Sequence, residues 1–301
     1  MKVLYCAAHH NGGNDDEGAI AYGLERLGHT VVKVSQLADP LVIKSIEADC
    51  DFALFHKVRN SELLSVLTIP KVIWYFDLVE WPDLSLRKRN RERVAWMEEM
   101  APKADLVFCT DGDWVAKVQS DKFIRLSQGA DERFVGRLLP SPYVPNREIL
   151  FTGIEARGGT ERASFVQFLR ERYGEKFYHV TSGVHQINLK QLIANSKIVV
   201  APDSPVTDSY WSNRVYLMLG FGAFLFHPYC EELAKDYEQG IDILLYSCRE
   251  ELEDLIDYYL QEPETEIGNI RESGLQKTME KHLYRHRLET LIATVKERCC
   301  R

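Results

Sequence analysis

The sequence predicts an α/β fold in two halves, each a parallel sheet covered by helices. Short apolar runs suited to strands alternate with helical stretches along the chain, the pattern of parallel sheets. The alternation stops once, at residues 139–147 (LPSPYVPNR), where three prolines in nine residues suit an extended linker between domains. With 301 residues and 45% hydrophobic content the chain can bury two cores, and single cores stop growing near about 250 to 300 residues.

Residues 2–7 (KVLYCA) read as a first strand, residues 11–17 as a polar glycine-bearing loop, residues 18–27 as a helix ended by Gly28, and residues 30–34 as the next strand. This opening is Rossmann-like. Further strands are expected at 52–55, 72–76, 106–110 and 123–126, with helices at 61–67, 87–100 and 113–118. After the linker the logic repeats: strand 148–152, loop 153–159, helix 161–173, strand 177–180, helix 189–194 and strand 198–202. An apolar helix then passes through Gly220 and Gly222 into residues 223–226, a run short enough for a strand buried on both faces. The tail, residues 265–301, alternates charged and apolar residues at helical spacing. No residue-level repeat links the two halves, so the duplication is architectural.

The formal charge of −8 argues against a surface that grips nucleic acid throughout, while leaving room for a local basic patch. No apolar run approaches the roughly 18 to 20 residues of a membrane span, and MKVLYCAAHH lacks the apolar core of a signal peptide. The expected location is the cytoplasm. Seven cysteines, at 6, 50, 109, 230, 248, 299 and 300, form no Cys-x-x-Cys pair and predict reduced thiols rather than a disulfide frame or zinc site.

Ligands of open parallel sheets bind beyond the carboxyl ends of the strands, and two such sheets facing each other make a cleft. The most informative loop lies in residues 204–229, SPVTDSYWSNRVYLMLGFGAFLFHPY. Ser209, Tyr210, Asn213 and Arg214 precede or open a helix whose free N–H groups favour an anion, and Arg214 adds a fork suited to phosphate. A nucleoside diphosphate fits these residues. Gly153, Arg157 and Arg162 in GIEARGGTER read as a glycine-bearing phosphate cradle or, alternatively, as a flexible loop with solvated arginines. No Gly-Lys-Ser/Thr follows, which excludes a P-loop.

Asn11, Gly12 and Gly13 in HHNGGNDDEG read either as an acceptor-binding turn or as the approach to a helix cap at Asp15, Asp16 and Glu17. No second cluster with ligand spacing supports a metal there. Asp77 and Asp111 end apolar strands, where a carboxylate meets a substrate hydroxyl or caps a turn. Arg87, Arg89 and Arg91 belong to RKRNRER, five basic residues in seven, near Trp74, Trp81 and Trp96. This run is either a phosphate-binding face with stacking aromatics or a solvated helix face paired with Glu92, Glu98 and Glu99.

The segment NRVYLMLGFGAFLFHPYCEELAKDYEQGIDILLY resembles the donor-binding end of GT-B glycosyltransferases, especially the spore-maturation-protein type and its phage and metagenomic relatives, over roughly the last half of the chain. In that family the helix, turn and strand are followed by an acidic turn, here Glu231 and Glu232, a strand, here 241–246, and a helix opened by a charged pair, here 249–255. The resemblance implies two Rossmann-like domains with parallel sheets facing across a cleft. The first, residues 1–144, would bind the acceptor and the second, 145–285, the nucleotide sugar, with the helix at 286–301 packing back on the first.

It further implies sugar transfer from a nucleotide-diphosphate sugar, most simply a UDP-sugar, to a hydroxyl of a glycan or a hydroxymethylated DNA base, with no cofactor and no metal. Asp77, or second Asp111, would be the general base, and Gly153, Arg157, Arg162, Ser209, Tyr210, Asn213 and Arg214 would hold the donor. Retaining family-4 enzymes place two glutamates eight apart, where this chain has Ser209 and Leu217. That departure keeps two other readings open: a silent nucleotide-binding module and a nucleotide-sugar epimerase.

Overall fold

The computed structural model describes residues 1–9, 15–56, 58, 60–80, 87–154, 161–181, 184, 186–202 and 206–299. The chain forms two compact units, Met1–Glu132 with Tyr284–Arg301, and Arg133–Leu283.

The first unit carries six parallel strands, β1 (Lys2–Ala7), β2 (Thr30–Ser35), β3 (Phe52–His56), β4 (Lys71–Tyr75), β5 (Leu106–Cys109) and β6 (Phe123–Arg125), in the order β2-β1-β3-β4-β5-β6. Among the described residues these α-helices alternate with them: α1 (Asp16–Arg26), α2 (Pro40–Ile46), α3 (Glu62–Val66), α4 (Arg87–Met100) and α5 (Gly112–Val118). Side chains alternate across the pleat. Val3, Tyr5, Leu54, Trp74 and Phe108 pack on one face with Ile20 and Leu24 of α1. Leu4, Cys6, Phe55, Ile73 and Val107 pack on the other with Leu63 of α3, Met97 of α4 and Trp114 of α5.

The second unit carries β7 (Arg147–Thr152), β8 (Phe177–Val180), β9 (Ser196–Val200), β10 (Leu225–Pro228) and β11 (Leu244–Tyr246), all parallel, in the order β11-β10-β9-β7-β8. Its helices are α6 (Glu161–Tyr173), α7 (Gln186–Ala194), α8 (Arg214–Gly220), α9 (Glu231–Asp236), α10 (Arg249–Gln261) and α11 (Glu264–Lys281). Phe151, Val200, Phe226 and Leu244 pack with Val166 and Leu169 of α6 and Leu252 and Ile256 of α10.

These units confirm the α/β class with two parallel sheets. The structure adds α2, which opens on a sequence signal that the expected elements do not include: Asp39 accepts from the Leu41 amide at 2.8 Å and Pro40 sits in the first turn. The acidic turn at Glu231 and Glu232 is the first turn of α9. Gly220 closes α8, and only Gly222, at φ +76°, supplies the left-handed turn into β10. The tail is two helices, α11 and α12 (Tyr284–Cys299), broken at His282 and Leu283.

Helix α12 belongs to the first unit, where Leu288, Leu291 and Val295 join the core around α1. A Cβ on Gly23 would come 2.7 Å from Leu288, so that glycine permits the close helix contact. The proline-bearing stretch 139–147 belongs to the second unit. Buried Asn195 donates to Ser141 O, Val144 O and Asn146 Oδ1 and accepts from the Ser141 amide. Lys190 donates to Phe134 O and the Gly136 amide to Gly220 O. Up to the start of β7 at Arg147 this proline-rich sequence forms no helix or strand, but several of its backbone polar groups are still claimed by side chains.

Asn195→Ala removes the side-chain partners of the part-buried Ser141 amide and Val144 carbonyl and is expected to cost about 1 to 3 kcal/mol in urea unfolding of the full chain; a change within experimental error would mean that the clamp contributes nothing. Burial alone would raise the Asp242 carboxyl, but hydrogen bonds from Lys277, Ser273 and the Glu238 amide hold it below the ordinary carboxylate value. Its contribution is therefore present above the unfolded pKa of about 4 and lost as pH falls through the lower folded value. Unfolding at stepped pH should show a shallower acid loss below about pH 4 in Asp242→Asn.

Candidate functional site

In the second sheet the strand order reverses between β7 and β9: α6 carries the chain from β7 to β8 on one side, and α8 carries it from β9 to β10 on the other. Such a switch point leaves a crevice beyond the carboxyl ends of the strands. Three expected residues converge on it. Gly153 leaves β7 at φ +149°, and a Cβ there would lie 2.9 Å from Arg214 Nη2 and 3.2 Å from the Phe151 ring. The Arg214 guanidinium, at the start of α8, lies 5.8 Å from the centre of the Phe151 ring. Arg162, at the start of α6, donates from Nε to Pro202 O just beyond β9, at 3.2 Å.

The sequence did not single out His179, which β8 brings to the same place. Its Nε2 is 2.9 Å from Gly153 O and its ring stacks on Phe151 at 4.9 Å. The signal was a histidine in a strand whose neighbours are apolar, and nothing local shows which neighbour it meets. A cavity of about 410 Å³ opens beside Arg162, lined also by Phe165, Pro202, Pro228, Tyr246 and Arg249.

The loop before α8 is fastened rather than open. Asp208 O accepts from the Glu232 amide at the start of α9, and the Tyr210 amide donates to Thr207 Oγ1. Ser209 and Trp211 are buried, while Asn213 occupies the helix-capping position with helical backbone angles and makes no side-chain cap bond. Arg157 lies outside the described residues.

In the first unit, Asp77 follows β4 and is half-buried. Asp111 is buried with both carboxylate oxygens engaged: Oδ1 accepts from the Trp114 amide as the cap of α5, and Oδ2 accepts from the Val79 amide. Burial pushes its pKa up, against the hydrogen bonds from the Trp114, Val79 and Glu80 amides. This geometry is that of a loop anchor. Asp15 likewise caps α1, accepting from the Gly18 amide at 2.8 Å.

A pair outside the expected acid and base candidates stands at the same strand ends. His56, the last residue of β3 and 2% exposed, places Nε2 3.7 Å from Oε1 of Glu17, itself 9% exposed, and packs edge-on against Phe76 at 4.3 Å. A histidine closing the apolar run FALFH was the available signal. Asn11, Gly12, Gly13 and Trp81 lie outside the described residues, as do the side chains of Arg87 and Arg89. Arg91 is exposed on α4, and Arg93 donates to Leu78 O at 2.6 Å. Trp74 and Trp96 are not stacking platforms: Trp74 is buried and donates to Leu126 O, and Trp96 donates to Val58 O and stacks on Tyr75 at 5.0 Å. Among the described residues no group of three or more His, Cys, Asp or Glu is placed to hold a metal ion, and no helix is long and apolar enough to cross a membrane.

Residues 157–293 match the model of a family described as glycosyl transferase-like. No curated protein matches the chain. Among solved structures it is similar to Anabaena HepE in complex with UDP-glucose, at 13% identity and TM-score 0.63 over 99% of this chain and 100% of that one. It is similar also to sucrose-phosphate synthase from Thermosynechococcus elongatus, at 10% identity and TM-score 0.68 over 99% of each chain. A third, an α-glucosyltransferase in complex with UDP, has 9% identity and TM-score 0.69 over 98% of this chain and 100% of that one. The fold shared with these proteins is GT-B, two Rossmann-like units.

The contact between Gly153 and Arg214 gives a coupling that is measurable without a ligand. Gly153→Ala is expected to cost about 1 to 3 kcal/mol through backbone strain and overlap, and less in an Arg214→Ala background, where the overlapping group is gone. Equal costs in both backgrounds, measured by urea unfolding, would show that Gly153 does not make room for Arg214.

Proposed function

We propose that this chain is a glycosyltransferase of the spore-maturation type that moves a hexose from a UDP-sugar to an acceptor hydroxyl. One observation carries the reading: Gly153 and Arg214 meet beyond β7 and Arg162 is anchored to Pro202 O beyond the neighbouring β9, at the switch point of the second sheet, a place suited to a diphosphate held by guanidinium groups. The glycosyl transferase-like match over residues 157–293 and the solved neighbours holding UDP or UDP-glucose support it.

In the reaction the acceptor oxygen forms a bond to the anomeric carbon as the bond from that carbon to the β-phosphate oxygen breaks. The bonding electrons leave with the diphosphate. Arg162, Arg214 and Arg157 stabilise that charge, with Ser209, Tyr210 and Asn213 shaping the pocket around it. These cations do the work that a metal does in other transferases, so the reaction is proposed to need neither metal nor cofactor beyond the nucleotide sugar. The first unit serves the acceptor. Asp77 takes the hydroxyl proton in an inverting course, or orients the hydroxyl in a retaining one, where the departing phosphate accepts the proton. An anionic acceptor, a glycan or hydroxymethylated DNA, rests on the basic run of α4, where Arg91 is exposed.

A second reading, a nucleotide-binding module without turnover, is favoured by Ser209 and Leu217 at positions where the resembled retaining enzymes carry glutamates. Calorimetry against UDP, other nucleoside diphosphates and their sugars tests both. Selective UDP binding, weakened in Arg214→Ala by on the order of 1.5 to 3 kcal/mol, is the expected result. Absence of any nucleotide binding overturns the transferase. Binding without release of UDP, across glycan and modified-DNA acceptors, selects the silent module, and epimerised donor in the absence of acceptor selects an epimerase.

A further inference from the structure

The opposite edge of the second sheet holds a cavity that the transfer chemistry does not use. About 420 Å³ in volume, it lies at the amino ends of β7 and β9 and is lined by Arg137, Arg147, Lys197 and Arg271 against two carboxylates, Glu148 and Glu264. Its formal charge is therefore an excess of two positive. From Arg147 at one end of β7 to Gly153 beyond the other is six residues, about 20 Å of strand, so this cavity and the switch-point crevice are separate sites.

Arg271 on α11 is the informative member. Its side chain is 4% exposed, yet its charge is poorly matched. Nη2 donates to the Ser196 and Lys197 carbonyls, which satisfy hydrogen bonds without neutralising charge. Among the described residues its ion-pair partner is Glu264, which stands 3.3 Å from Nη1 and is itself 64% exposed. Nε is buried and has no hydrogen-bond partner among the described residues. Burial first, and then the neighbouring Arg137, hold the Arg271 pKa down to about 10, which still leaves the group charged at neutral pH. Buried charges are ordinarily paired, because an unmatched one costs several kcal/mol.

The other cations differ in their freedom. Lys197 is spent on the carbonyls of Leu260 and Glu262 at the end of α10, and Arg147 lies over the Tyr178 ring at 4.5 Å. Arg137 is exposed, with its aliphatic stem against Gly222. One buried fork and one exposed fork on the wall of a single cavity make a geometry suited to a tetrahedral dianion.

We propose that this cavity binds a phosphate group, as the free ion or as the monoester of a small metabolite, at a site distinct from the donor crevice. The inference is independent of the transferase reading, since none of its residues belongs to that machinery.

Calorimetry of the full chain in low-salt, phosphate-free buffer, titrated with inorganic phosphate and separately with glucose 6-phosphate, tests it. Saturable one-site binding is expected, weakened roughly tenfold or more in Arg137→Gln and unchanged in Arg214→Ala. Because Arg137 is exposed, thermal unfolding of Arg137→Gln without phosphate should match the parent, which separates lost binding from lost folding. Tighter binding of glucose 6-phosphate assigns a metabolite; binding of inorganic phosphate alone assigns the free ion to the same site. No binding of either probe, or binding that Arg137→Gln preserves and Arg214→Ala abolishes, overturns the proposal.

Discussion

Both sheets are parallel and covered by helices, which confines polar chemistry to the ends of the strands. A strand such as β3 has no solvent face on which to carry a charged side chain, because residues of either parity meet an apolar layer. Charge therefore collects where the ladders stop. At the carboxyl ends stand Asp77, Asp111 and His56 in one unit and Gly153, His179 and Arg214 in the other; at the amino ends of β7 and β9 stand Arg147 and Lys197. The same constraint explains why polar groups that do enter the interior are bound on several sides, as Asp111, Asn195 and Asp242 are.

Close approach between elements is bought by small residues at a few positions. Gly23 brings α12 against α1, Gly274 brings α11 within reach of the Asp242 carbonyl, and Gly153 admits the Arg214 guanidinium beside β7. The first two serve packing and the third serves the candidate site, although all three look alike in the sequence. Gly222 differs, because its left-handed backbone sets where α8 ends and so fixes how far Arg214 stands from the turn.

The strand and helix succession was largely legible, since apolar runs of four to six residues bounded by glycine, proline and acid have few alternatives. Element ends were less so. Strand β10 begins at Leu225 rather than 223 because pairing starts where Leu225 meets Val199, a property of the neighbouring strand. Periodicity alone does not mark the break between α11 and α12, because residues on either side keep helical spacing; each helix finds its partner in a different unit, Leu275 and Thr278 being buried in the second, Leu288 and Val295 in the first.

The sequence by itself determined the α/β class, the parallel sheets, the two-part division of the chain and the loops in which polar residues cluster, because all of these follow from short-range periodicity and from the few residues that interrupt it. Only the tertiary structure decided which polar residues meet. Glu17 and His56, Gly153 and Arg214, and Arg137 and Arg271 are each separated by 39 residues or more in the sequence, and their neighbourhood depends on strand order and helix packing, which no local pattern encodes. It also decided between roles that one residue type permits: Asp111 is turned inward onto backbone amides, whereas Asp77 is left half-exposed beyond β4, a difference set by the loops and helices packed around each carboxylate.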